Sequence, residues 1–106
     1  MGHYNKLVRD QVPGMLRASG HKVTTRTLQG AELLKALRAK LDEEIAEYDA
    51  AADDKQAALE LADIVEVITA LAQRRGCTEA ALQQLREAKA ARSGAFERGT
   101  FLVSTD

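Results

Sequence analysis

The chain has 106 residues and a formal net charge of −1, so it is long enough for one small domain, predicted to span residues 1–106. The near balance of acidic and basic side chains argues against nucleic-acid binding driven by a strongly basic surface. The single cysteine, Cys77, excludes an internal disulfide, and there is no long apolar run or signal-like start. We therefore expect a cytoplasmic protein that does not enter a membrane.

Most of the chain has the residue pattern of α-helices, in keeping with its abundant alanine and single proline. A lead-in and short helix are predicted within residues 4–19, with Pro13 in the first turn or at a kink and Gly20 ending the segment. Three longer helices are predicted at about residues 31–51, 54–75 and 79–92.

The ends of these helices carry capping signals. Asp53, followed three residues later by Gln56, fits a capping box at the start of the second long helix. Gly76 fits the position just after that helix, and Thr78 fits the N-cap of the next one. These signals place short turns between consecutive helices.

Two short segments have β character instead. Residues 22–28 are rich in β-branched side chains and alternate weakly, and residues 100–103 form a second segment of this kind. Because a lone strand is not stable, the two segments would have to pair with each other. The expected fold is therefore mainly α, a helical bundle with room for one short two-stranded β pairing.

Two pairs of acidic side chains lie on the first two long predicted helices. The first pair is Glu44 and Glu47, and the second is Glu60 and Asp63. Members of a pair are three residues apart and share a helix face, and each pair lies within a stripe of apolar residues. If the two helices pack face to face, four carboxylates converge, which a partly buried site tolerates only with a cation. Oxygen ligands alone suit Mg²⁺ or Mn²⁺.

The order and separation of these acids resemble the MazG-like, all-α nucleoside triphosphate pyrophosphatases. The pattern of that superfamily is EExxE followed, after a short gap, by ExxD. In this chain the pattern reads Glu43-Glu44-x-x-Glu47 and then Glu60-x-x-Asp63.

The two ends of the chain narrow the resemblance to the phosphoribosyl-ATP pyrophosphohydrolase-like branch. The opening reads Tyr4-Asn5-Lys6-Leu7-Val8-Arg9-Asp10, and the ending reads Lys89-x-x-Arg92-x-Gly94-x-Phe96-Glu97. The resemblance covers nearly the whole chain. It departs at one point, because relatives often have Gly-Gly before the phenylalanine and this chain has Gly94-Ala95.

The resemblance implies a Mg²⁺-dependent hydrolase that cleaves the α–β phosphoanhydride of a nucleoside triphosphate, or of phosphoribosyl-ATP, to a monophosphate and pyrophosphate. It implies that Glu43 is a further acid near the metal, positioning or deprotonating water. The metal ligands that it implies are Glu44, Glu47, Glu60 and Asp63. The candidate phosphate-contacting residues are Lys6, Arg9, Lys89 and Arg92. It also implies a homodimer or homotetramer in which helices of different subunits complete the bundle.

Two other interpretations remain open. Taken singly, acidic residues on helices are most often solvated at the surface. The alternative to the hydrolase is therefore a non-catalytic helical module that binds a cation or a partner. Hydrolysis of a nucleotide would distinguish the hydrolase from this module. A purely structural dimerisation domain predicts no change in Tm on adding Mg²⁺. For two of the basic residues the non-functional alternative is an ion pair: Lys40 would pair with Glu44 on the helix surface, and Arg9 could equally pair with the adjacent Asp10 as contact a phosphate.

Overall fold

A computed structural model describes residues 5–106, and this part of the chain contains four α-helices and no β-strand. The helices are α1 (Val12–Ala18), α2 (Gly30–Asp49), α3 (Asp54–Arg74) and α4 (Glu79–Ser93). The main packing unit is a hairpin of α2 and α3, which are joined by residues 50–53. Helix α4 packs against α3, less extensively than α2 does. The predicted mainly α class is confirmed. None of these four helices combines the length and apolarity that a membrane crossing requires.

The ends of α3 are fixed by the capping signals in the sequence. The Asp53 carboxylate accepts a 2.8 Å hydrogen bond from the backbone N–H of Gln56. At the other end Gly76 has a φ of 79°, a left-handed conformation that favours glycine. The N–H of Cys77 then donates to the carbonyl oxygen of Ala72 at 2.9 Å, as in a Schellman motif. Both ends of α3 are therefore set by local residues.

One sequence prediction is wrong. Residues 22–28 and 100–103 are not strands, because within residues 5–106 neither segment is hydrogen-bonded to a neighbouring strand, and an isolated strand pair is marginal. The short helix predicted within residues 4–19 is α1, which begins at Val12 after the lead-in and has Pro13 in its first turn. Tyr4, where the lead-in was predicted to begin, lies outside the described residues.

The core of the hairpin is small and includes a charged side chain. Within residues 5–106 the buried apolar residues are Leu37 of α2 and Val67 of α3. Glu44 of α2 is buried with them and only 5% exposed. Packing of the two helices therefore places a carboxylate where an aliphatic side chain is usual.

Both helices of the hairpin also present apolar side chains to solvent. Leu61, Val65 and Ile68 of α3 recur at helical spacing and form an exposed row, here called the apolar stripe. Ile45 and Tyr48 of α2 are exposed as well. The accessible surface of 9411 Å² exceeds the roughly 5,800 Å² of a compact monomer of 11.5 kDa. Contiguous apolar surface of this kind marks sites of protein–protein contact.

Candidate metal centre

Five acidic side chains of α2 and α3 converge between the two helices and are called the acidic cluster: Glu43, Glu44, Glu47, Glu60 and Asp63. Glu43, Glu44 and Glu47 each place a carboxylate oxygen within 4.8 Å of the others. Glu44, Glu60 and Asp63 meet the same limit. Because Glu44 belongs to both groups, the two acidic pairs seen in the sequence face each other across the hairpin.

Two oxygen atoms of the acidic cluster are buried without a hydrogen-bond partner, Oε2 of Glu44 and Oε2 of Glu60. A buried, unpaired carboxylate oxygen is costly, and here like charges surround it. Mg²⁺ holds its ligands at about 2.1 Å, so two of them lie at most about 4.2 Å apart. The carboxylate oxygens of each group lie within 4.8 Å of one another, so small movements of their side chains would bring them to that spacing. The donor set therefore fits a hard divalent cation.

The carboxyl group of Glu60 is the most strongly perturbed member of the acidic cluster. Desolvation is the largest cause, and the neighbouring Glu47 and Glu44 carboxylates add to it, which together raise the pKa of Glu60 to about 7. Near neutral pH this group therefore holds a proton for much of the time. A cation bound beside it would favour the ionised form and lower its pKa again.

We expect the metal-free protein to lose stability as the pH rises from about 4.5 to about 7. Across this window folded Glu60 keeps its proton, whereas in the unfolded chain its pKa is the ordinary 4.5 and the proton is lost. The folded state then binds more protons, so the free energy of unfolding falls with rising pH and levels off above about pH 7. Thermal melting in EDTA from about pH 4.5 to about pH 8 measures this profile.

Two variants test the origin of that slope. Glu60→Gln should flatten the profile, because the titrating group is gone. Asp42→Asn should leave the slope unchanged, because Asp42 lies outside the acidic cluster and pairs with Arg38 at 2.6 Å. A wild-type profile that rises between about pH 4.5 and about pH 7 would show that Glu60 does not dominate the titration.

Glu43 is held by two lysines. Lys6 Nζ lies 2.9 Å from its Oε1 atom, and Lys40 Nζ lies 3.2 Å from its Oε2 atom. These cations lower the pKa of Glu43, the hydrogen bond from Lys6 being the largest cause. Lys40 also lies 3.2 Å from Oε1 of Glu44, so the predicted pair is confirmed. A carboxylate with a lowered pKa is a weak base, which suits Glu43 to orienting a water molecule rather than taking its proton.

The N-terminal segment, residues 5–11, carries two cations to the acidic cluster. Lys6 reaches Glu43 on α2, and Arg9 reaches α3, where its Nη2 atom lies 2.5 Å from Oδ1 of Asp63. These contacts raise the pKa values of Lys6 and Arg9, the hydrogen bonds to Glu43 and Asp63 being the largest causes. The local pair between Arg9 and Asp10 is therefore not formed, since Arg9 binds a residue far along the chain.

Lys89 and Arg92 are placed differently. Both lie exposed on α4, and within residues 5–106 neither forms an ion pair or hydrogen bond with the acidic cluster. The structure therefore brings together the predicted acids with Lys6 and Arg9, but not with the two α4 cations. Lys40 contacts the acidic cluster but was not among the predicted site residues. Its position four residues before Glu44 was the sequence feature that indicated this contact.

Part of the chain is similar in sequence to a known protein. No family model matches the chain, and no solved structure matches it at a significant level. Over 55 residues the chain is 54% identical to an uncharacterized protein of Mycolicibacterium smegmatis. That stretch is 52% of this chain and 55% of the relative, so the chain spans about half the length of the relative that it matches.

Proposed function

We propose that the protein is a Mg²⁺-dependent nucleotide pyrophosphohydrolase of the MazG-like type. It would cleave the α–β phosphoanhydride of a nucleoside triphosphate, or of phosphoribosyl-ATP, to give a monophosphate and pyrophosphate. The observation that carries this proposal is the pair of buried, unpartnered oxygen atoms, Oε2 of Glu44 and Oε2 of Glu60, within a cluster made only of carboxylates. The order of these acidic residues along the chain, EExxE followed by ExxD, also supports the proposed pyrophosphohydrolase function.

The residues that would hold the cation are Glu44, Glu47, Glu60 and Asp63, and Mn²⁺ suits the same oxygen donors. When bound, the metal supplies charge neutralisation on the phosphoanhydride and a bound water of lowered pKa. The protein's own contribution is positioning. Its carboxylates are fixed on two packed helices, and Glu43, kept ionised by Lys40, accepts a hydrogen bond from the attacking water and orients it.

A small cavity beside the acidic cluster suits a phosphate group. Its volume is about 100 Å³, and its lining includes Lys6, Lys40 and Glu43. Ammonium groups in the wall attract phosphate oxygens, and charge-assisted hydrogen bonds are stronger than neutral ones. Lys89 and Arg92 remain proposed phosphate ligands, exposed on α4 and accessible to a substrate bound in an assembled bundle.

We further propose a homodimer or homotetramer as the functional form, in a cytoplasmic setting that suits the free thiol of Cys77. The accessible surface, 9411 Å², exceeds the value for a compact monomer by about 3,600 Å². A standard interface buries only about 800 Å² on each partner. Burial of the apolar stripe against a second copy would complete a helical bundle around the acidic cluster.

Pyrophosphate release is the experiment that tests this function. A panel of common, deoxy and modified nucleoside triphosphates, with phosphoribosyl-ATP, is incubated with the protein and Mg²⁺, Mn²⁺ or EDTA. We expect metal-dependent release of pyrophosphate from at least one substrate, and that substrate names the nucleotide class. Release that persists in EDTA would contradict a reaction that depends on the acidic cluster.

The non-catalytic module remains the second candidate, and the same material distinguishes it. A module that only binds the cation predicts no pyrophosphate but a higher Tm in Mg²⁺. Ligand at ten times its Kd stabilises the native state by about 1.4 kcal/mol, which raises the Tm of a small domain by several degrees. A protein that shows neither hydrolysis nor a change in Tm would fit the structural dimerisation domain instead.

A further inference from the structure

The N-terminal segment bridges the two helices that carry the acidic cluster. Lys6 pairs with Glu43 on α2, and Arg9 pairs with Asp63 on α3, across 37 and 54 positions of sequence. Both carboxylates belong to the acidic cluster, and Asp63 is also one of the proposed metal ligands. Arg9 in particular is bonded to Oδ1 of Asp63, an atom that the second group of candidate ligands would need.

We propose that residues 5–11 form a counter-ion strap, in which Lys6 and Arg9 neutralise the acidic cluster in the metal-free protein and a divalent cation displaces them. The inference rests on the proposed function, because it takes the acidic cluster as a metal site. A guanidinium on Asp63 and a divalent cation bound by the same carboxylate repel each other at short range. The two occupants therefore compete for one site.

The ion pairs that hold the strap are weak, so a metal ion should displace the strap rather than be excluded by it. The Arg9 and Asp63 side chains are 58% and 39% exposed, and ion pairs at such positions contribute little to stability. A cation held by several carboxylates has more partners than either strap residue. Lys40 differs from both, because it is half-buried on α2 and is held next to Glu43 and Glu44 by its own helix. Lys6 and Arg9 are therefore the counter-ions that a bound metal would displace.

Release of the strap would also give Lys6 and Arg9 a second use. Once displaced from the carboxylates, both cations lie on a short segment beside the metal site, and Lys6 also lines the cavity described above. The phosphates that accompany the metal then offer both cations an anionic partner. On this view the two residues exchange a protein carboxylate for a substrate phosphate as the site fills.

Mn²⁺ affinity without nucleotide tests the competition directly. Arg9→Gln should tighten Mn²⁺ binding, measured by calorimetry or electron paramagnetic resonance, by up to about fivefold, the range for loss of an exposed ion pair. Arg9→Lys, which keeps the charge, should remain close to the wild type. Arg38→Gln is the matched control, because it removes the same charge from an exposed pair outside the acidic cluster. Unchanged or weaker binding by Arg9→Gln would overturn the strap.

Limited proteolysis gives an independent readout. Trypsin cleaves after Lys6 and Arg9, so release of the strap by Mn²⁺ should speed cleavage at these two positions, whereas a ligand that only stabilises the fold slows cleavage. Slower or unchanged cleavage after Lys6 and Arg9 would overturn the proposal, and so would a failure of wild-type protein to bind Mn²⁺. These results can be distinguished from failure of the hydrolase proposal. If only the hydrolase proposal is wrong, Mn²⁺ still releases the strap, but no substrate yields pyrophosphate.

Discussion

Glu47→Gln should abolish metal-dependent pyrophosphate release and leave the metal-free protein at least as stable as the wild type. Loss of an outer-shell partner already lowers activity or metal affinity 10- to 100-fold, so loss of a ligand should lower turnover by at least about 100-fold. The side chain keeps its size and loses only its charge. Activity with saturating Mg²⁺ and thermal melting in EDTA measure the two effects.

The stability half of this result follows from the neighbours of Glu47. Its carboxylate is one of the charges that raise the pKa of Glu60, so removing it relieves repulsion that the folded state alone experiences. Gains in stability at the expense of activity are typical of functional sites. Asp42→Asn, on the same helix but outside the acidic cluster, should change neither quantity appreciably. A loss of more than about 2 kcal/mol in metal-free Glu47→Gln would identify Glu47 as a structural residue instead.

Val65→Glu should convert the proposed oligomer into monomers. Val65 lies at the centre of the apolar stripe and is 60% exposed in the single chain, so a glutamate there is harmless until a second copy covers it. Burying a carboxylate without a partner costs several kcal/mol, which corresponds to at least about 100-fold weaker association. Light scattering coupled to size-exclusion chromatography, over a range of protein concentrations, measures the change in mass.

Leu85→Glu is the matched control for this substitution. Leu85 is 58% exposed on α4 and lies outside the apolar stripe, and single exposed apolar residues are ordinary. It should leave the mass of the assembly unchanged. If Val65→Glu had the same mass and concentration dependence as the wild type, the apolar stripe would not be the interface between copies.

The parts of the fold that could be predicted from sequence are those set by local interactions. The Asp53 cap and the Gly76 turn each involve residues within a few positions of one another, so the bounds of α3 were close to the prediction. The segment 22–28 shows the opposite case. Its composition favours a strand, but a strand needs a partner from elsewhere in the chain, and composition does not specify one.

The same division holds within the site. Helical spacing placed Glu44 with Glu47, and Glu60 with Asp63, and packing of two adjacent helices was enough to bring the pairs together. The contacts of the N-terminal segment could not be found this way. Arg9 and Asp63 are 54 positions apart and lie on segments with no shared periodicity, so only the three-dimensional structure pairs them.

The N-cap at Asp53 also sets the rotational phase of α3. Glu60 lies seven positions after Asp53, which is close to two full turns, and so the start of the helix determines the direction in which Glu60 faces. One residue inserted between them would rotate the rest of α3 by about 100° relative to its cap. Glu60 and Asp63 would then turn away from α2. The number of residues between Asp53 and Glu60 is therefore constrained by the site, whichever side chains occupy the positions between them.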